Sequence, residues 1–181
     1  MQYMPSELSL AAAMIYLLVT VASLIAFQTA ISREQVTFHV VFWASIGTFF
    51  LVLSVARILG VEEQARDFLR DWISASGLRE NRRFFQGLAV SLTIPIFVLM
   101  GLYARFHLAR LLHSRRNVAV ATACLGCGIM LLLILLRLIS LHALDRLLFG
   151  APKLNWIFDV GAALLVAAAA LYYVGRVRRL I

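Results

Sequence analysis

Three charged residues stand out within apolar stretches of the sequence: Arg57, Arg137 and Asp159. A charged side chain inside a lipid-spanning helix costs roughly 2.5–3.5 kcal/mol on insertion scales, so such groups pair with one another or line a polar path. Arg137 falls about a turn and a half before the end of one apolar block, and Asp159 about a turn inside the next. Consecutive spans form a hairpin, so both groups lie at similar depth. The expectation is that they approach each other, directly or through a water, and that Arg57 reaches the same membrane face and can join them. As structure, the three are a polar lock that fixes helix register; as function, they line a substrate or proton path.

Beside them runs Ser140-Leu-His142-Ala-Leu-Asp145. His142 and Asp145 are three residues apart and share a helix face, where a carboxylate can fix the tautomer of the imidazole. A nucleophile is missing, because Ser140 lies about 200° around an ideal helix from His142. His142, Asp145 and Asn155 are therefore read as an interfacial polar cap, and no catalytic residue is assigned. Cys124 and Cys127 have the spacing of a redox or metal pair, but lack two further ligands and a thioredoxin-like context. They are read as small packing residues of a lipid-embedded helix, and no metal site is assigned. His39 and His107 fall on one membrane face, so a bis-His haem that uses His39 with His107 or His113 is the one cofactor alternative. His142, on the opposite face, is too far from His39 to share it.

The elements that must position these groups are five apolar blocks, at 9–31, 36–59, 87–112, 118–141 and 154–174. A hydrocarbon core about 30 Å thick needs roughly 20 apolar residues as helix, and each block is long enough. Hydrophobic residues make up 62% of the 181 and charged ones 14%, against about 25% charged in an ordinary soluble domain. The blocks are apolar all round and lack the period-two alternation of a membrane barrel, so they are expected to be helices. The fold class is all-α: one integral-membrane bundle over 1–181, with five transmembrane helices and an interfacial helix at about 61–76. The first block is too long for a signal sequence and has no basic residue before it, so it is read as an uncleaved span.

The interfacial helix is expected from Val61, Ala65, Phe68, Leu69, Trp72 and Ile73, which recur at three- and four-residue spacing opposite Glu62, Glu63, Arg66, Asp67, Arg70 and Asp71. Trp72 turns towards the membrane, and Trp156 with Tyr172 and Tyr173 brackets the last span. Sixteen residues separate Trp156 from Tyr172, about 24 Å of helix, enough to reach both interfaces. Pro95 is expected to kink the third block. The last span is rich in Gly and Ala, which lets helices approach closely and can mark a surface for another subunit.

The net charge of +8 sits at the ends of the blocks. That is the pattern of residues that fix topology and touch lipid head groups, so no nucleic-acid partner is expected. Arg and Lys are evenly divided between the two faces. Arg33 after the first span, and the acid-free basic stretches at 105–116 and 175–181, favour an external N-terminus and a cytoplasmic C-terminus.

The segments Ser140-Leu-His142-Ala-Leu-Asp145 and Leu154-Asn155-Trp156-Ile-Phe-Asp159-Val-Gly161, with Arg79-Glu80-Asn81-Arg82-Arg83 up to Gln86, resemble a group of small multi-pass bacterial inner-membrane proteins of unassigned function. The resemblance covers about half the chain. It departs where an aromatic pair is expected and Leu78-Arg79 stands. It implies a compact helical bundle in a bacterial inner membrane and no reaction. The expected role is a non-catalytic accessory, assembly or scaffold subunit, whose partners are the lipid bilayer and other membrane proteins or further copies of the chain. A small oligomeric transporter or channel using Arg137, Asp159 and Arg57 is the alternative.

Overall fold

The computed structural model of the protein describes residues 7–75, 95, 98, 115–139 and 154–178. Among them are five helices and no strand: α1 (Glu7–Ser32), α2 (Thr37–Leu59), α3 (Val61–Ala75), α4 (Arg115–Ile139) and α5 (Leu154–Arg178). All except α3 are long and apolar enough to cross a membrane. Four of the five expected spans fall on these helices. The other, 87–112, lies outside the described residues except for Pro95 and Val98, both helical and exposed. α5 runs on to Arg178, past the expected end at 174, and places Arg176 and Arg178 in its last turn, where cations complement the helix dipole.

The buried side of three of the long helices includes a run spaced alternately by four and three residues. In α1 it is Ala12, Tyr16, Val19, Ser23, Ala26 and Ala30; in α5 it is Asp159, Ala163, Val166, Ala170, Tyr173 and Val177. α4 repeats the pattern with Ala119, Ala123, Met130, Leu133 and Arg137, and buried Gly126 completes it. That spacing is the seam of helices packed nearly parallel or antiparallel, with side chains interlocking. The outward faces stay apolar, as at Leu18, Val52, Leu125 and Leu164. Burial is therefore decided by phase along the helix and not by polarity. The same phase that buries Ala163 and Val166 buries Asp159.

α1 and α5 are the inner pair: α1 packs on α2 and α5, and α5 packs on α4. Small residues on α1 and α5 make this possible. Ala162, Ala163, Ala169 and Ala170 all face inward, while Gly161 and Ala168 are exposed. α4 and α5 approach closely at Gly126. A Cβ built on Gly126 would sit 2.5 Å from Val166 Cγ2 and 3.0 Å from the Ala162 carbonyl oxygen. Gly126→Ala must force the two helices apart and should cost about 1–3 kcal/mol, read as a drop in thermal stability in detergent. Gly47→Ala, whose Cβ would meet its nearest neighbours at 3.7 Å, is the control and should change little.

Two corners set the helix ends. α1 closes with Gln35 N–H donating to the Ala30 carbonyl (2.9 Å) and Glu34 N–H to that of Ile31 (3.0 Å), and Glu34 holds a left-handed φ of 47°. This is the position where glycine is preferred. Glu34→Gly should stabilise by about 0.5–1 kcal/mol, both by relieving the backbone and by removing an acid from a helix C-terminus; thermal unfolding of the purified variant reads it. At the end of α2 glycine is present. Gly60 (φ 65°) donates to the Ala56 and Arg57 carbonyls, and its own carbonyl accepts from Glu63 and Gln64 of α3. The chain therefore turns from α2 into α3 with no intervening loop.

Candidate functional site

The Gly60 corner folds Glu62 back onto Arg57. Four charged side chains meet there in a closed ring. Arg57 Nη1 donates to Glu62 Oε2 at 2.8 Å, and Arg137 Nη1 donates to Glu62 Oε1 at 3.2 Å. Arg57 Nη2 and Arg137 Nη2 both donate to Asp159 Oδ2, at 3.0 and 2.6 Å. The remaining carboxylate oxygen, Asp159 Oδ1, accepts the Tyr16 hydroxyl of α1. Ser9 Oγ, also on α1, donates to the Arg57 carbonyl at 3.1 Å. Each of the five described helices contributes at least one group.

Among the described residues the ring joins two cations to two anions. It is also graded in exposure: the Arg137 and Asp159 side chains are 4% and 5% exposed, those of Arg57 and Glu62 21% and 23%. Ionised groups this deep persist only when paired and hydrogen-bonded. Asp159 meets that condition with three donors, and Glu62 with one on each oxygen. Shared carboxylates bridging two guanidinium groups hold α2, α4 and α5 in fixed register, while Glu62 ties α3 to the bundle. Tyr16→Phe leaves Asp159 Oδ1 without its donor and should cost about 1.5–3 kcal/mol, the range for a hydrogen bond to a charged group; thermal unfolding in detergent measures it.

The structure thus brings Arg57, Arg137 and Asp159 together, and adds Glu62 and Tyr16, which the sequence pattern does not place with them. By pattern Glu62 belongs to the polar face of α3, at helix spacing from Arg66. Tyr16 stands out by no motif, although its phase with Ala12, Val19 and Ser23 is a legible signal. Asn155 lies in the first turn of α5, whereas its expected partners His142 and Asp145 lie outside the described residues.

The opposite end of the bundle is aromatic. The His39 ring stacks on Tyr173 at 5.4 Å between centroids, and Trp43 lies 5.2 Å from Tyr173. Arg116 Nη1 donates to Gln35 Oε1 at 2.5 Å. The α1–α2 turn and the start of α4 therefore share this end. The chain begins α3 at the ring end and enters α4 at the aromatic end. Among the expected interface anchors, Tyr172 is exposed, with the Arg176 guanidinium 5.1 Å above its ring, and Trp156 is half-buried. Tyr173 differs from expectation. It is wholly buried, because it stands in phase with Ala163, Val166 and Ala170 on the inward side of α5, while Tyr172, about 100° around the helix, faces outward. Trp72 lies on α3, and its side chain is outside the described part.

Cys124 is exposed, and Cys127 is half-buried against the core. Among the described residues no group of three or more His, Cys, Asp or Glu side chains could hold a metal ion. The haem alternative pairs His39 with His107 or His113, both of which lie outside the described residues. No protein-family model matches the chain, and no curated protein and no solved structure matches it.

Proposed function

We propose that the chain is a multi-pass inner-membrane protein acting as a non-catalytic accessory, assembly or scaffold subunit of a membrane complex. What supports this reading is the closed ring. Both carboxylates are taken up by arginines on neighbouring helices, so the deepest ionic groups hold the bundle together and leave no oxygen of Asp159 or Glu62 without a donor. A path for ions or protons would have to break that ring. Of the residues carrying the resemblance to small bacterial inner-membrane proteins, Asp159 is the one at its centre.

Partner helices would meet the outward faces of α4 and α5, where Leu125 and Leu164 are exposed. A photo-crosslinking side chain at Leu125 or Leu164 should give discrete protein adducts in intact membranes. The same group at buried Met130 or Val166 should give only internal links. Adducts to lipid alone from every outward position would contradict the reading. The proposed orientation, with the C-terminus in the cytoplasm, predicts that a C-terminal green fluorescent protein fusion is fluorescent; a dark fusion with an active periplasmic reporter at the same site reverses it.

A further inference from the structure

The outward side of α1 and α2 carries a groove of about 540 Å³. The small side chains of Ala44, Ser45 and Thr48 open it between the bulkier Phe27, Val40 and Phe49. Its two hydroxyls are used within α2: Ser45 Oγ donates to the Val41 carbonyl (2.9 Å) and Thr48 Oγ1 to that of Ala44 (3.0 Å). The surface left is therefore apolar. Val40 and Phe49 are nine residues apart, about 13.5 Å of helix, close to the roughly 15 Å of hydrocarbon in one leaflet. Val40 is one turn below the start of α2 at Thr37, so the α1–α2 turn stands over the mouth of the groove. That turn belongs to a basic end. Arg33, in the turn, is exposed, and Arg116 reaches the same turn from α4 through Gln35. Among the described residues this end holds Arg33, Arg115, Arg116, Arg176 and Arg178 against Glu34 alone, net +4, whereas the ring end has four arginines against six acids, net −2. No described acid forms an ion pair with Arg33 or Arg116.

We infer that the groove seats an acyl chain of an anionic phospholipid, whose headgroup phosphate is held at the mouth by Arg33 and Arg116. Two observations define the ligand. An apolar trough about one leaflet long takes a hydrocarbon chain, and arginines without an acid over its mouth take an anion, phosphate being the one that guanidinium groups bind best in a headgroup region. The two features are continuous, and only an amphiphile satisfies both. A free phosphate would leave the trough unfilled, and a plain hydrocarbon would leave the arginines uncompensated. A zwitterionic headgroup would bring its own cation against a net charge of +4. Glu34 sits beside Arg33 and weakens the attraction without cancelling it. The groove belongs to α1 and α2, whereas the faces proposed for partner helices belong to α4 and α5, so the inference is independent of the accessory-subunit reading.

The test is thermal unfolding of the full-length protein in an uncharged alkyl maltoside, with added phosphatidylglycerol, phosphatidylcholine or inorganic phosphate. Phosphatidylglycerol should raise the unfolding temperature by about 5 °C at saturation; phosphatidylcholine and inorganic phosphate should have little effect. Ser45→Phe fills the groove from an exposed position and should abolish the lipid-induced rise while leaving the lipid-free protein about as stable. Should that variant fail to fold, Thr48→Phe, also exposed, fills the same space. Val52→Phe, on the outward face of α2 beyond the groove, is the control and should keep the full rise. Arg33→Gln should at least halve the rise, and Arg33→Lys should retain most of it. The inference is overturned if phosphatidylcholine matches phosphatidylglycerol, if inorganic phosphate alone gives the rise, if no probe shifts the transition, or if the rise survives filling of the groove or loss of the Arg33 charge. A drop in particle mass by light scattering with Ser45→Phe, its lipid response unchanged, would assign the groove to a second copy of the chain and overturn it as well.

Discussion

Arg137→Leu should abolish accumulation of the protein in the membrane fraction. Arg137 is 4% exposed and donates to both carboxylates of the ring. Its removal leaves one arginine for two acids, with uncompensated negative charge beside the buried Asp159. Removing one member of a buried ionic network costs about 3–5 kcal/mol, a large share of the 5–15 kcal/mol that holds a typical domain together. Adding Asp159→Asn restores neutrality, because Arg57 and Glu62 remain as a pair and the new amide oxygen can still accept from Tyr16. The double variant should therefore accumulate to a measurable fraction of the wild-type level, although each single change alone depletes it. Quantitative immunoblotting of membranes reads all four proteins.

Asp159→Asn alone should destabilise the purified protein by about 3 kcal/mol or more, and Glu62→Gln by about 1–2 kcal/mol. Both remove one negative charge and nearly preserve shape, so the difference isolates position. Asp159 is 5% exposed and takes three donors, one of them from the central helix α1. Glu62 is 23% exposed, so solvent can compensate part of its loss. Thermal unfolding of both variants in the same detergent decides the order. Equal losses would mean that the ring is not graded by depth as its geometry indicates.

The long helices are legible because length and apolarity suffice to mark them; α2 and α3 end within a residue of where the pattern puts them. The pairing of Arg137 with Asp159 is legible for a further reason: the hairpin constrains depth, and the spacing of buried residues constrains phase. Asp159 is four residues before Ala163 and seven before Val166, in step with the small residues that must face a neighbour. Glu62 escapes this logic. On α3 alone it belongs to the polar face, and only the left-handed turn at Gly60 brings it five residues back over Arg57, a spacing no straight helix supports. The order of neighbours, with α1 and α5 central, is likewise beyond the sequence, because four apolar stripes of similar width can be shuffled without changing any one of them. The burial of Tyr173 beside exposed Tyr172 is a matter of phase that pairing the two as anchors overlooks.

The central claim is that the ionic groups at the ring end hold one another and act as a unit. A double-mutant cycle between Arg137→Gln and Asp159→Asn, with unfolding free energies measured in detergent for all four proteins, tests this most directly. Two groups 2.6 Å apart in a closed, buried ring should show a coupling energy of about 2 kcal/mol or more. Additivity within about 0.5 kcal/mol, the behaviour of independent sites, would show that Arg137 and Asp159 do not sustain each other and would contradict the account.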